Sequence, residues 1–460
     1  MLEKLRIHCN SESIAYINGD SFITYKKLWE EASKLAIYVS NQGTSPVIVY
    51  GHKSINMLVS FLACLIAKRP YVPIDITMPL DRLKEIIRLT KSTLIIKNES
   101  VAIHDIESIA DLDIEHDYKS VKELNNDIAY IIFTSGSTGE PKGVPISYGN
   151  LNNFLCWISN LYTLRNRKNI IVMNQAVYSF DLSVADIYYS LANGHILVGV
   201  NKKEQDDIGL LYNVMVNRKP NVLVMTPTFA KFCLLNPDFN GENMQFIDTI
   251  FFCGERLSVN IVSKLYGRFT KLNIINAYGP TEATCAVTAV LINRDMLDDE
   301  VLPVGDMTNN ATNILIKDEE IVLEGASVFK GYLGVSNEKK QYYHTGDIGY
   351  IKNNFLYCLG RIDQQVKYSG YRIELLDIEN NILRLDEVEE CVVVASLNSE
   401  NIVIAIKAFV VLNTDCSVFS IKEKLGSYIP KYMIPKIIEI VDRIPVNNNG
   451  KYDRKLLSKS

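Results

Sequence analysis

The chain has 460 residues, 47% of them hydrophobic and 22% charged, which is too long for one ordinary domain and apolar enough for a sizeable core. Its 48 lysines and arginines stand against 53 aspartates and glutamates, a net charge of −5, so there is no global basic footprint for nucleic acid. Nine scattered cysteines without a CxxC pair argue against both a disulfide framework and a zinc site, and fit a reducing cytoplasm.

The opening stretch, MLEKLRIHCNSES, is polar where a signal peptide needs an apolar run, so the expected location is cytoplasmic. The apolar run Met57–Ala67 falls far short of the roughly 20 residues of a membrane span and reads as a buried helix. Short apolar strands follow: Tyr130–Phe133, Ile170–Met173, Val222–Met225, Thr249–Phe252 and Leu272–Ile275. Between them lie helical patterns such as Ser183–Leu191, which stops at Asn193-Gly194. Buried strands alternating with helices predict an α/β fold with parallel-rich sheets flanked by helices. Ligands of such sheets gather at the carboxyl ends of the strands, where polar and small residues cluster here. Beyond Leu359-Gly360-Arg361 the pattern changes to helix Leu375–Leu385, strands Cys391–Ala395 and Ile402–Val411, helix Ile421–Tyr428 and strand Ile437–Val441. This predicts a large N-terminal domain, residues 1–362, and a small α+β C-terminal domain, residues 363–460.

The sharpest local signal is YIIFTSGSTGEPKG, Tyr130–Gly143. A strand runs into ten residues with three glycines, four hydroxyls and one lysine. Glycines allow close backbone approach, while Thr134, Ser135, Ser137 and Thr138 can donate to phosphate oxygens and Lys142 supplies charge. Pro141 stands where a Walker A loop needs glycine, and the string is neither GxGxxG nor GxSxG.

This string closely resembles the signature of the adenylate-forming superfamily, which includes acyl-CoA synthetases, luciferases and amino-acid adenylation domains. YVPID (Tyr71–Asp75), NAYGPTE (Asn276–Glu282), YHTGD (Tyr343–Asp347), GRIDQQVKYSGYRIE (Gly360–Glu374) and NGKYDR (Asn449–Arg454) resemble its other motifs in order. Within it, YGHKS, SFDLSVADIYYSL, FFCGE and SVFKGYLG look most like the D-alanine–D-alanyl carrier protein ligases.

The resemblance implies ATP and Mg²⁺ as cofactors, with a small amino acid and a phosphopantetheine-bearing acyl carrier protein as partners, and neither nucleic acid nor membrane. ATP would be bound by Thr134, Ser135, Gly136, Ser137, Thr138, Gly139 and Lys142 around the β- and γ-phosphates, and by Asn276, Ala277, Tyr278 and Gly279. Thr281 would meet the α-phosphate, Glu282 would hold Mg²⁺, and Asp347 with Arg361 nearby would take the ribose. Asp181 would pair with the substrate ammonium; Leu182, Ala185, Met225, Cys253, Gly279 and Cys285 would wall its pocket. Ala185 and Cys285 stand where these ligases usually carry methionine and valine, and the first departure enlarges the expected pocket. Asp363 matches the hinge about which the small domain swings, and Lys451 the catalytic lysine.

Two readings of the same chemistry remain at this point: a ligase charging a carrier protein with D-alanine, as in teichoic acid D-alanylation, and a stand-alone adenylation enzyme loading a nonribosomal-peptide-type carrier. A CoA ligase fits Asp181 poorly, and a non-catalytic binding protein would not need Lys142, Glu282, Asp347 and Lys451 together. By the same resemblance Lys451 would neutralise charge only while a carboxylate approaches the α-phosphate. Lys451→Ala is therefore expected to cripple adenylate formation and spare thiol transfer from supplied adenylate; equal losses in the two single-turnover rates would refute that division.

Overall fold

The computed structural model describes residues 2–98, 120–122, 124–136, 140–335, 342–398, 400, 402–446 and 452–458. By internal contacts the chain forms two compact units. The first comprises residues 1–76, 90–132 and 143–360, and the second residues 77–89, 133–142 and 361–460.

In chain order the strands of the two large sheets are β1 Ile14–Asn18, β2 Ser21–Thr24, β3 Val47–Tyr50, β4 Tyr71–Ile74, β5 Leu94–Lys97, β6 Ile128–Thr134 and β7 Lys142–Ser147. They continue with β8 Ile171–Asn174, β9 Ile196–Gly199, β10 Val222–Met225, β11 Thr249–Phe252, β12 Asn273–Tyr278 and β13 Thr288–Ile292. One sheet runs β5-β3-β4-β6-β7 and the other β13-β12-β11-β10-β8-β9-β1-β2. In the second, six central strands are parallel and only the edge strands β13 and β2 are antiparallel. The expected strands at β8, β10, β11 and β12 thus share one parallel sheet, and their carboxyl ends share one edge.

The run around Met57–Ala67 is helix Ile55–Ile66, buried through most of its length. Among the described residues no helix is long and apolar enough to cross a membrane. The pattern at Ser183–Leu191 is helix Leu182–Asn193, capped by Gly194 in the left-handed region at φ 70°. Its residues from Leu182 to Ala192 are all buried, so it is covered on every side. A separate antiparallel sheet of Gly305–Asp306, Asn313–Lys317, Glu320–Glu324, Tyr342–Lys352 and Phe355–Arg361 carries YHTGD on its strand Tyr342–Lys352 and the start of GRIDQQVKYSGYRIE at the end of Phe355–Arg361. In the second unit, strands Val388–Leu397 and Val403–Leu412 pair antiparallel, Ile437–Ile440 adds parallel, and helices Leu375–Ile382 and Val418–Tyr428 pack beside them.

One buried polar cluster holds the helix Leu182–Asn193 to the end of β8. Lys53 Nζ donates to Asn174 Oδ1 at 3.2 Å and to the Ala176 carbonyl at 2.5 Å, and lies 4.2 Å from the centre of the Tyr178 ring. Asn174 Nδ2 donates to Asp186 Oδ1 at 2.9 Å, and the Tyr178 hydroxyl donates to Asn174 Oδ1 at 2.8 Å. Burial pushes the Asp186 carboxyl up and the Lys53 ammonium down, and the attraction between them opposes both shifts. Removing one member of a buried pair leaves the other charge uncompensated. Lys53→Met is expected to lower the unfolding free energy by about 3–5 kcal/mol in urea titration. Adding Asp186→Asn should recover part of that loss; a double variant no more stable than Lys53→Met would show that the two are uncoupled.

Candidate active site

Strand alternation decides which side chains meet. On β11, Phe251 and Cys253 enter the core that also contains Leu182, Ala185, Ala277 and Cys285, whereas Ile250 and Phe252 enter the core on the other face. The Cys253 thiol donates to the Cys285 carbonyl at 3.7 Å. A hydrogen bond with Cys253 and burial hold the Cys285 thiol well above its usual range. Asp181 begins the helix Leu182–Asn193 in helical conformation and makes no side-chain capping bond with it. Its charge is within electrostatic range of Cys285 and of Tyr130 on β6. Asp181, Leu182, Ala185, Cys253 and Cys285 therefore form one cluster.

Met225 does not join it. Its side chain shares a face of β10 with Leu223 and lies with Met173, Phe252 and Phe229 in the other core. Only its carbonyl points toward Cys253, accepting from that residue's N–H at 3.4 Å. The strand was legible in the sequence; which of its two faces met the pocket was not.

After β12 the chain turns tightly. The Val287 N–H donates back to the Tyr278 carbonyl at 2.8 Å, and a Cβ on Gly279 would sit 2.5 Å from the Ala286 Cα, so position 279 admits only glycine. Thr284 and Cys285 both lie in the left-handed region, at φ 64° and 71°. Two successive non-glycine residues there are strained, and the Thr284 hydroxyl donating to the Ser327 carbonyl at 3.1 Å helps to hold them.

This turn presents the NAYGPTE residues. The Tyr278 hydroxyl donates to Asp347 Oδ2 at 2.6 Å, joining two expected nucleotide residues directly. The Asp347 N–H donates to Thr345 Oγ1 at 3.0 Å. Thr281 is buried, and so is Glu282, whose Oε1 accepts from the Tyr332 hydroxyl at 2.8 Å while its carbonyl accepts from the Phe329 N–H at 2.8 Å. Tyr332, inside the quoted SVFKGYLG, was not singled out from sequence; nothing in its spacing reveals that it would fold back on Glu282. Ala277 is buried on β12, and Asn276 donates to the Pro303 carbonyl at 2.7 Å.

The second unit contains the glycine-rich loop and the hairpin Gln365–Tyr368 with Tyr371–Glu374. Thr134 ends β6. The Ser135 hydroxyl donates to the Arg372 carbonyl at 3.1 Å and accepts from the Glu374 N–H at 2.9 Å. A Cβ on Gly136 would lie 2.0 Å from the Glu140 carbonyl oxygen, so position 136 admits only glycine. The Gly136 N–H bonds the Asp377 carboxylate, which also pairs with Arg82 at 3.1 Å; burial raises Asp377 and Arg82 opposes that. Lys142 opens β7, and its charge lowers the Glu374 carboxyl that burial and Asp363 push up. Arg361 grips Asp363 through two bonds of 2.7 and 2.6 Å. Burial opposes ionisation of Asp363, but Arg361 and the Gln365 N–H outweigh it and hold the carboxyl below its usual range. Ser135 and Arg361 thus have protein partners in this structure. Ser137, Thr138, Gly139 and Lys451 lie outside the described residues. Among the described residues no group of three His, Cys, Asp or Glu side chains could hold a metal.

Tyr278→Phe deletes the donor to the Asp347 carboxylate and is expected to weaken ATP binding roughly tenfold by calorimetry, as for one hydrogen bond to a charged group. Unchanged ATP affinity would separate this pair from the nucleotide.

A family model for AMP-binding enzymes matches residues 5–333, and one for the AMP-binding enzyme C-terminal domain matches residues 377–451. The chain is 37% identical to a D-alanine–D-alanyl carrier protein ligase of Bacillus licheniformis, over 97% of this chain and 96% of that protein. It is equally 37% identical to the ligase of that name from Staphylococcus aureus, over 98% and 96%. Among solved structures it resembles a Vibrio cholerae adenylation domain in complex with glycyl-adenosine-5′-phosphate, at TM-score 0.85 and 22% identity over 100% of this chain and 97% of that one. At that identity the likeness shows the fold alone. The chain belongs to the AMP-binding enzymes, in the family of the D-alanine–D-alanyl carrier protein ligases.

Proposed function

We propose that this enzyme activates D-alanine with ATP and passes it to the phosphopantetheine thiol of a carrier protein. In the first half-reaction the amino-acid carboxylate attacks the α-phosphorus. A carboxyl-oxygen-to-phosphorus bond forms, the bond to the β-phosphate bridging oxygen breaks, and pyrophosphate leaves. In the second, the thiol sulfur attacks the acyl carbon, its proton is lost, and AMP leaves. Both reactants of the first step are anions, so positioning and charge neutralisation dominate the barrier.

The observation that carries the reading is the small buried cluster of Leu182, Ala185, Cys253 and Cys285 beside Asp181. It offers a carboxylate for an ammonium, with small side chains beside it. Full-length relatives named as D-alanine ligases favour this over the nonribosomal-peptide alternative.

The other roles follow the family motifs. Thr134, Ser135, Gly136, Ser137, Thr138, Gly139 and Lys142 embrace the β- and γ-phosphates, Thr281 meets the α-phosphate, and Asp347, steadied by Tyr278, takes the ribose hydroxyls. Asn276, Ala277 and Gly279 bind ATP beside Tyr278, and Arg361 is released to the nucleotide when Asp363, the proposed pivot between residues 1–362 and 363–460, changes conformation. Lys451 supplies the charge that the attacking carboxylate needs. Glu282 fits Mg²⁺, being a buried hard-oxygen donor with one oxygen steadied by Tyr332, and phosphate oxygens would complete the set. Bound there, Mg²⁺ would supply neutralisation of phosphate charge. A reducing cytoplasm suits nine cysteines, none of them in a disulfide.

Amino-acid-dependent ATP–pyrophosphate exchange tests the substrate. D-Alanine is expected to exceed L-alanine, glycine, serine and β-alanine, and preference for a larger amino acid would overturn the assignment. Ala185→Met should narrow the pocket and shift kcat/KM toward alanine over the best larger substrate by about tenfold to a few hundredfold. An unchanged ratio would remove position 185 from the pocket wall.

A further inference from the structure

Tyrosine hydroxyls buried in this fold are satisfied almost everywhere. Tyr16 meets Tyr178, Tyr71 meets Tyr188, Tyr189 donates to the Leu164 carbonyl, Tyr25 to the His195 carbonyl and Tyr266 to the Ile292 carbonyl. Tyr130 is the exception among them. It is 0% exposed, and among the described residues its hydroxyl has no hydrogen-bond partner. A buried polar atom left in this state costs stability, and phenylalanine would fill the same space without that cost.

The ring is fixed. It lies 5.7 Å from the Tyr71 ring, which is itself stacked on Phe61 at 4.5 Å and tied through its hydroxyl to Tyr188 at 2.6 Å. Tyr130 shares its core with Leu182, Ala185, Cys253 and Cys285, and the Asp181 carboxylate is within electrostatic range. We propose that Tyr130 is a substrate-binding residue, whose hydroxyl oxygen accepts one N–H of the amino-acid ammonium that Asp181 neutralises. An ammonium brings three donors and no acceptor, so one carboxylate leaves it seeking a second oxygen. A phenol held in a rigid aromatic cluster supplies that oxygen in place before the substrate arrives. Burial, and after it the charge on Asp181, holds the hydroxyl well above its usual range, so it remains neutral and acts as a hydrogen-bond partner rather than a base. Nothing in YIIFTSGSTG marks this tyrosine, which reads as one more apolar strand residue.

The inference rests on the reading of Asp181 as the ammonium's partner, and the test separates the two. Kcat/KM is measured by pyrophosphate release for D-alanine and for D-lactate, which carries a hydroxyl in place of the ammonium, in the wild type, Tyr130→Phe and Asp181→Asn. Tyr130→Phe is expected to lower the alanine-to-lactate ratio about tenfold or more, leave the KM for ATP unchanged, and leave the thermal midpoint of the ligand-free protein unchanged or raised. A fraction of misfolded enzyme would lower both substrates alike and leave the ratio intact. If Asp181→Asn collapses the ratio while Tyr130→Phe changes it less than threefold, the Tyr130 proposal is overturned and the Asp181 reading stands. If Asp181→Asn leaves the ratio intact, the ammonium assignment itself fails, and this inference falls with it.

Discussion

A buried ammonium group organises the pocket. Lys53 has left water for a site between the end of β8 and the helix Leu182–Asn193, where Asn174, the Ala176 carbonyl, the Tyr178 ring and the charge of Asp186 together replace its hydration. Such an arrangement is stable only if every member keeps its place. Asn174 binds Lys53 through its oxygen and Asp186 through its nitrogen, so a shift of the helix by even one turn would strand two charges. The same helix carries Asp181, Leu182 and Ala185 at its start. The proposed substrate pocket therefore inherits its precision from a polar cluster on the same helix.

The opposite wall obtains its shape from strain. Thr284 and Cys285 are held in left-handed conformation by a turn closed through Gly279, and that turn sets Cys285 against Cys253 while presenting Thr281 and Glu282. Strain of this kind persists only where the surroundings over-determine it, here through Ser327, Phe329 and Tyr332. These residues sit in the segment SVFKGYLG, so the likeness of that segment to its relatives has a physical meaning: it buttresses the turn.

The glycine-rich loop has a second set of obligations. Ser135 bridges the backbone of the hairpin strand Tyr371–Glu374, and Gly136 bonds the carboxylate of Asp377. Groups suited to cradle phosphate oxygens are equally suited to bond peptide and carboxylate oxygens, since the donors are the same. Arg361 and Asp363 repeat the theme, a nucleotide candidate gripped by the carboxylate at the proposed pivot.

The sequence alone determined the α/β class, the parallel strands β8, β10, β11 and β12, the helix over 183–191 and the order of strands and helices from Leu375 to Val441. Hydrophobic period and turn residues are local, and they report local structure faithfully. Motif strings also marked Asp181, Cys253, Tyr278, Glu282 and Asp347. Only the tertiary structure decided which of these meet. It joined Tyr278 to Asp347 and Glu282 to Tyr332, across separations no periodicity encodes. It set Met225 on the far face of its strand, because a strand's two faces are equivalent in sequence until both are packed. It also left the Tyr130 hydroxyl without a partner among the described residues inside an apolar strand, and an unsatisfied atom can be recognised only when everything around it is in place.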